Sequence, residues 1–255
     1  NSLESMGKAV RGNSELAQRI RHKYKIKNTT GYSLNALVDY TDPIDILQHL
    51  MIGSEGTLGF ISEITLSTVP EHPHKASSLV FFPDVASACE AVVTLKQQPV
   101  DAVEMMDRAA LRSVQDKPGV PGELTTLPET AAALLIETRA ADREGLSQQI
   151  SSILQSLTSA NTLGESSFTD KPAEFDALWK IRKGLFPSVG AMRAAGTAVV
   201  IEDIAFPLEK LAAGTVELQQ MFEQHGYNNA IIFGHALEGN LHFVITPDFG
   251  NPVEV

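Results

Sequence analysis

Strand-like and helix-like segments alternate along this chain from residue 75 onward. Short apolar runs typical of strands are followed by longer stretches with the apolar spacing of an amphipathic helix. The pattern predicts strands over 77–82, 100–106, 131–138, 166–169, 197–206, 230–235 and 240–246, and helices over 85–97, 108–114, 142–158, 171–192 and 207–225. This order favours an α+β fold in which two β-α-β units surround an antiparallel sheet.

Two prolines three residues apart, Pro70 and Pro73, precede the alternating region. Because closely spaced prolines resist both helix and sheet interiors, we place a domain boundary there. Residues 1–72 then form a first unit, with helices over 14–24 and 45–51 and a strand over 60–69, and residues 73–255 form a second. The chain opens inside a helix-like segment without a methionine and closes after a strand, so we expect a fragment of a longer protein.

A glycine-rich segment, GSEGTLGFI over residues 53–61, joins the second predicted helix to the first predicted strand. Glycine lets a backbone turn tightly and approach another molecule closely, and the amides of such a turn can hold anionic oxygens. The segment is neither a nucleotide P-loop nor a G-x-G-x-x-G dinucleotide motif. From spacing alone, a cofactor loop and a plain glycine-rich turn remain equally open.

The composition of the chain argues against several classes of function. The net charge is −11 over 255 residues, so binding to a nucleic-acid backbone is not expected. No segment has the length and apolarity of a transmembrane helix. The single cysteine, Cys89, excludes a disulfide or an iron–sulfur cluster within the chain, and its helical setting indicates a buried structural thiol. We expect a reducing, cytoplasmic setting.

Two histidines, His235 and His242, flank a turn that contains Glu238, Gly239 and Asn240. Alternation through the hairpin could bring both imidazoles to one side, where they could share a divalent metal with a carboxylate as third ligand. The alternative is a pair of ordinary sheet histidines near a surface turn. Glu238 is the only acid within the turn, and its direction is open.

Three further charged residues interrupt apolar patterns. Arg182 lies on the helix predicted over 171–192, where a solvated face is the ordinary position, although its guanidinium could also hold a carboxylate by two hydrogen bonds. Glu202 and Asp203 break an apolar strand. They lie either beside a pocket or at an exposed strand edge, because buried acids need partners.

The motifs K-N-T-T-G-Y at 27–32, G-S-E-G-T-L-G-F-I at 53–61 and the histidine hairpin occur in the order seen in FAD-linked 2-hydroxy-acid dehydrogenases. The chain resembles these vanillyl-alcohol-oxidase, or PCMH-type, flavoproteins over its whole length. It is most similar to the branch of long bacterial D-2-hydroxyglutarate dehydrogenases that are fused to an iron–sulfur region.

The resemblance implies a fold and a reaction. Residues 1–72 would be the C-terminal part of a PCMH-type FAD-binding domain, and residues 73–255 an incomplete ferredoxin-like cap domain with an antiparallel sheet and flanking helices. The reaction would transfer a hydride from C2 of a D-2-hydroxy acid, such as 2-hydroxyglutarate or lactate, to FAD. A 4Fe-4S cluster would lie outside this chain, oligomers are possible, and the electron acceptor is open.

The resemblance also implies site residues. His235 and His242 would bind zinc or a similar divalent metal, which would polarise the substrate hydroxyl. Arg182 and Asn240 would hold the substrate carboxylates. The residues that would line the FAD pocket are Gly31, Tyr32, Gly53, Ser54, Glu55, Gly56, Thr57, Gly59 and Ile61.

The chain departs from the family pattern at the hairpin. Leu237 stands where the family has glycine, and Glu238 where it has aspartate. A downstream Glu-His-Gly motif, which would supply a third ligand and a catalytic histidine, is not in this sequence. We therefore expect the isolated chain to be inactive and to bind FAD weakly. Two alternatives stay open: a flavin oxidase of another substrate class, or a non-catalytic α+β binding module whose histidines are structural.

Overall fold

The computed structural model describes residues 2–117 and 120–252. The outermost residues of both predicted units, residue 1 and residues 253–255, lie outside the described part. The chain divides into two compact units, Asn1–Pro70 and Glu71–Val255. The division lies two residues before the boundary that we placed between residues 72 and 73.

The first unit is helical. It contains α1 (Ser2–Gly12), α2 (Ser14–Lys23), α3 (Ala36–Asp39) and α4 (Pro43–Leu50). Side-chain oxygens of Asn13 and Asp42 accept amide hydrogen bonds at the starts of α2 and α4, as good N-caps do. Arg11 of α1 donates to the carbonyl oxygens of Leu37 and Tyr40 at 2.8 and 2.6 Å, which ties α1 to α3.

The strand that the sequence predicts over 60–69 is not present. These residues form no ladder with any other residue that the structure describes, and Phe60 and Val69 are almost fully exposed. Alternating apolar residues are a local signal, whereas a strand also needs a neighbouring strand to satisfy its amide and carbonyl groups.

The second unit is built on one six-stranded antiparallel sheet. Its strands are β1 (His74–Phe82), β2 (Ala102–Asp107), β3 (Ala132–Ala140), β4 (Val200–Ala205), β5 (Ile231–His235) and β6 (Asn240–Ile245). Their order is β1-β3-β2-β5-β6-β4. The predicted strand over 166–169 is reduced to a single bridge between Thr169 and Ser77.

The helices of this unit are α5 (Val85–Leu95), α6 (Arg108–Arg112), α7 (Arg143–Leu157), α8 (Pro172–Met192) and α9 (Leu211–Gln224). Strands and helices together divide this unit into two halves with the same connectivity, β1-α5-β2-β3 and β4-α9-β5-β6. In each half the third strand lies between the first two, antiparallel to both. The halves meet where β2 pairs with β5, which confirms the predicted pair of β-α-β units around an antiparallel sheet.

Helices cover both faces of the sheet, and apolar side chains fill the space between helices and strands. One face packs against α5, α7 and α9 through residues such as Phe82, Leu134 and Ile232. The other face packs against α6 and α8 through residues such as Met106, Leu135 and Phe233. The second face carries the polar residues described below, and Arg182 of α8 contacts one of them, Glu104.

Cys89 is buried in α5, and this burial raises the pKa of its thiol to about 12. The prediction of a buried structural thiol is confirmed. None of the helices in the described part of the chain combines the length and apolarity that crossing a membrane requires.

Candidate functional site

The hairpin of β5 and β6 brings its two histidines together. His235 pairs with Asn240 across the hairpin and His242 pairs with Phe233, so both imidazoles project from the same face of the sheet. Their ring centroids are 5.3 Å apart and the rings are nearly perpendicular. This is the arrangement that the alternation of the sequence suggested.

The turn between the strands contains Gly239 in the left-handed region, with φ of 62°. Glu238 does not face the imidazoles, because its carboxylate pairs with the ammonium group of Lys96 at 3.0 Å. The one acid of the turn is therefore engaged elsewhere.

A carboxylate holds each imidazole from the strand directly opposite. Nδ1 of His235 lies 2.6 Å from Oε1 of Glu104, its register partner on β2. Nδ1 of His242 is hydrogen-bonded to Oδ1 of Asp203, its register partner on β4. Since an ionised carboxylate only accepts hydrogen bonds, each Nδ1 carries a hydrogen, and in the neutral imidazole the free lone pair is then on Nε2.

Glu104 also binds Arg182 of α8. Nε of Arg182 donates to Oε2 of Glu104 at 2.7 Å, and the guanidinium carbon lies 4.4 Å from the centre of the Phe233 ring. Only 15% of the Arg182 side chain is exposed. The prediction of a solvated side chain, which rested on helical position alone, is therefore wrong. The guanidinium is held between a carboxylate and an aromatic ring.

The ionisation of Glu104 follows from these contacts. Burial alone would raise the pKa of its carboxyl, but the hydrogen bond from His235 and the charge of Arg182 outweigh that effect. The pKa of Glu104 therefore lies below its ordinary value, and the residue is an anion at neutral pH.

Asn240 is buried at the start of β6. Its side-chain amide donates to the carbonyl oxygen of Ile204 on the edge strand β4 at 3.3 Å. The side chain lies on the same sheet face as the two histidines, because Asn240 is the register partner of His235.

The two imidazoles offer two nitrogen ligands to a metal ion. Hydrogen bonds from Nδ1 to carboxylates are the usual support for histidines that bind metal through Nε2. Among residues 2–117 and 120–252, however, no three His, Cys, Asp or Glu side chains come together as a metal site. The residues fit part of a coordination sphere, and further ligands would have to come from elsewhere.

The first unit brings together the two segments proposed to line a cofactor. The hydroxyl of Tyr32 lies 3.0 Å from Oγ1 of Thr57, and Oγ1 of Thr57 donates to the carbonyl oxygen of Ser54 at 2.6 Å. Gly53, Glu55 and Gly56 all have positive φ. The glycine-rich segment is thus a tight turn tied to the Gly31–Tyr32 loop, and Ser54 within it is buried.

The remaining residues proposed to line the flavin pocket lie around this turn. Gly31 has a φ of +71° beside Tyr32. A Cβ on Gly59 would come within 3.0 Å of the Met51 side chain. Glu55 and Ile61 are exposed. All of these residues belong to the first unit, and the histidines and Arg182 belong to the second.

Sequence reasoning missed Glu104 and left Asp203 without a partner. Glu104 lies in the apolar run from Val103 to Met106, where an acid must find a counterion. That isolated acid was the available signal, but its partners are 78 and 131 residues away along the chain.

One protein family and several individual proteins are similar to this chain. Residues 71–255 match the protein family described as "FAD linked oxidases, C-terminal domain". A mitochondrial D-lactate dehydrogenase [cytochrome] from Arabidopsis thaliana is 31% identical over 79% of this chain and 34% of its own length. A D-2-hydroxyglutarate dehydrogenase from Stutzerimonas stutzeri is 25% identical over 94% of this chain and 48% of its own length.

Among solved structures, an alkyldihydroxyacetonephosphate synthase aligns with a TM-score of 0.60 at 16% identity. The alignment covers 80% of this chain and 42% of that protein. This likeness concerns the fold. The chain thus spans between a third and a half of the length of these relatives.

Proposed function

We propose that this chain, which belongs to the family "FAD linked oxidases, C-terminal domain", is part of an FAD-dependent enzyme. That enzyme would oxidise a D-2-hydroxy acid. The observation that carries the proposal is the cluster on one sheet face: two carboxylate-supported imidazoles beside an arginine held by one of the same carboxylates. FAD would supply the hydride acceptor, and the protein would bind and orient the substrate.

The chain's residues divide this work between the two units. Gly53 to Ile61 and the Gly31–Tyr32 loop would contact FAD, mainly through backbone amides of the tight turn. Arg182 would bind a substrate carboxylate through the terminal nitrogens that Glu104 does not use. Asn240 would contribute a second polar group beside it.

Nε2 of His235 and Nε2 of His242 would hold a divalent metal such as zinc. A metal bound there would act as a Lewis acid on the C2 hydroxyl. The carboxylates of Glu104 and Asp203, hydrogen-bonded to Nδ1, would leave Nε2 of each imidazole for the metal.

The names of two relatives, a D-lactate and a D-2-hydroxyglutarate dehydrogenase, support a 2-hydroxy acid as substrate class. We also propose that the longer protein contains an iron–sulfur cluster outside this chain and that it is cytoplasmic.

Kinetics of the full-length protein test the substrate class. We expect turnover of D-lactate or D-2-hydroxyglutarate with reduction of bound FAD, and we expect Arg182→Lys to raise KM at least about tenfold because the lysine cannot form a bidentate pair. Turnover of phenols without turnover of hydroxy acids would instead favour a flavin oxidase of another substrate class.

Metal analysis tests the histidine pair. Both His235→Ala and His242→Ala should lower the zinc content of the full-length protein, whereas His225→Ala, an exposed histidine at the end of α9, should not. Equal metal content in all variants would support the alternative of structural histidines in a non-catalytic module.

A further inference from the structure

We propose that Glu104 is a positioning residue that holds His235 and Arg182 in one geometry. It would thereby couple the metal-binding group of the site to its carboxylate-binding group. The inference rests on the proposed function, in which His235 binds metal and Arg182 binds a substrate carboxylate. It adds that neither group is set independently, because one carboxylate orients both.

The contacts of Glu104 are divided between its two oxygens. Oε1 accepts from Nδ1 of His235 at 2.6 Å and Oε2 accepts from Nε of Arg182 at 2.7 Å. The glutamate side chain is only 7% exposed. It therefore has few alternative positions, and two hydrogen bonds to different oxygens hold it in place.

Each contact fixes the atom that would meet a ligand. Donation from Nδ1 leaves Nε2 of His235 as the metal-binding nitrogen and sets the plane of the ring. Donation from Nε of Arg182 leaves both terminal nitrogens for a carboxylate, and the Phe233 ring lies against the guanidinium. Glu104 thus sets the direction of a metal ligand and of an anion-binding fork together.

Asp203 provides a comparison within the same site. It accepts from Nδ1 of His242 across the β4–β6 pair, just as Glu104 does for His235 across the β2–β5 pair. Asp203 is 40% exposed, and its described contact is with the histidine rather than with an arginine. The two carboxylates should therefore support metal binding alike but differ in their effect on substrate binding.

Glu137 provides a matched control. It is a buried glutamate on the same face of the sheet, with 4% of its side chain exposed, and it accepts from Arg139 at 2.8 Å. Its described partners are Arg139, Lys75 and Ser77, none of which belongs to the proposed site. Replacing it removes a buried, arginine-bound carboxylate without changing any contact of His235.

The experiment compares Glu104→Gln, Asp203→Asn and Glu137→Gln in the full-length, FAD-loaded protein. Zn²⁺ affinity is measured on metal-stripped samples by chelator competition. Affinity for the 2-oxo acid product is measured separately, without metal, from the change in flavin absorbance. Thermal unfolding reports whether each variant is folded.

We expect Glu104→Gln to weaken both affinities, Zn²⁺ by about 10- to 100-fold, the range for outer-shell partners of metal ligands, and the 2-oxo acid by about tenfold, equivalent to about 1.4 kcal/mol. Asp203→Asn should weaken Zn²⁺ binding alone. Glu137→Gln should change neither affinity. If Glu104→Gln matches Glu137→Gln, or weakens only one of the two affinities, the coupling role is wrong.

Arg182→Lys gives a reading that does not depend on Glu104→Gln folding. Loss of the Nε donor should free Glu104 to move, so this variant should also weaken Zn²⁺ binding, although Arg182 is not a metal ligand. Unchanged Zn²⁺ affinity in Arg182→Lys would overturn the inference while leaving the proposed function intact. A wild-type protein that binds neither Zn²⁺ nor the 2-oxo acid would overturn the proposed function itself.

Discussion

The amide of Phe206 donates to the carbonyl oxygen of Gly239 at 2.9 Å, and a Cβ on Gly239 would lie 2.0 Å from the carbonyl oxygen of Phe206. Gly239→Ala would therefore combine left-handed strain of about 1–2 kcal/mol with overpacking of about 1–3 kcal/mol. We expect the free energy of unfolding to fall by about 3 kcal/mol and Zn²⁺ binding to weaken, since the turn positions both histidines. Chemical denaturation and chelator competition measure these effects.

Gly226→Ala separates strain from collision. Gly226 has a similar φ of +77°, but no atom lies within 4 Å of the position that a Cβ would take. We expect a loss of about 1 kcal/mol with unchanged Zn²⁺ affinity. Equal effects of the two substitutions would show that the Phe206 contact is unimportant.

Phe233→Leu should affect substrate binding through Arg182. The ring lies 4.4 Å from the guanidinium carbon, and a cation–π contact of this kind is worth about 0.5–2 kcal/mol. We expect KM for the hydroxy acid to rise by up to about tenfold, with a smaller change in kcat. Phe222→Leu, on the opposite face of the sheet, is the control and should leave KM unchanged.

Asp107 should make stability depend on pH. Burial raises the pKa of its carboxyl to about 7 from an ordinary 3.8, despite hydrogen bonds from the amides of Ala110 and Ile232. Between these values the folded state binds a proton that the unfolded state does not. The free energy of unfolding should therefore fall as pH rises from about 4 to about 7, by up to about 1.4 kcal/mol per pH unit, and then level off.

Asp107→Asn isolates this effect, because asparagine can still accept the amide hydrogen bond of Ala110 that begins α6. Chemical denaturation of both proteins between pH 4.5 and about 8 should show that the wild type loses stability relative to the variant as pH rises. A difference that stays constant with pH would contradict a raised pKa.

Cys89 should report the unfolding of the second unit. Burial raises the pKa of its thiol to about 12, so the reactive thiolate is scarce and inaccessible at pH 8. Iodoacetamide should label the chain only as denaturant unfolds this unit, and Cys89→Ser should give no labelling. Rapid labelling of the native protein would mean that α5 opens locally.

Local patterns were sufficient for most of the fold. The apolar run at 131–138 became β3 and the run at 197–206 became β4, because each of these segments has a neighbouring strand with which to pair. The same signal failed at 60–69, where no described strand lies alongside. Periodicity specifies which face of a segment is apolar, but it does not supply a pairing partner.

The site was only partly accessible from sequence. The histidine spacing indicated that both imidazoles could lie on one face, because side chains alternate along the strands of a hairpin. The supporting carboxylates required knowledge of which strands are neighbours. For Arg182, helical position alone favoured a solvated face, because it does not reveal a buried counterion such as Glu104; only the resemblance assigned this residue to the site.

The pairing of β2 with β5 has a consequence for how the site arises. Glu104 comes from the first half of the sheet, His235 from the second, and Arg182 from the long helix that connects them. Neither half carries the complete set of binding groups. Ligand binding should thus report directly on association of the halves, and two polypeptides divided between α8 and β4 would regain it only by reassembling.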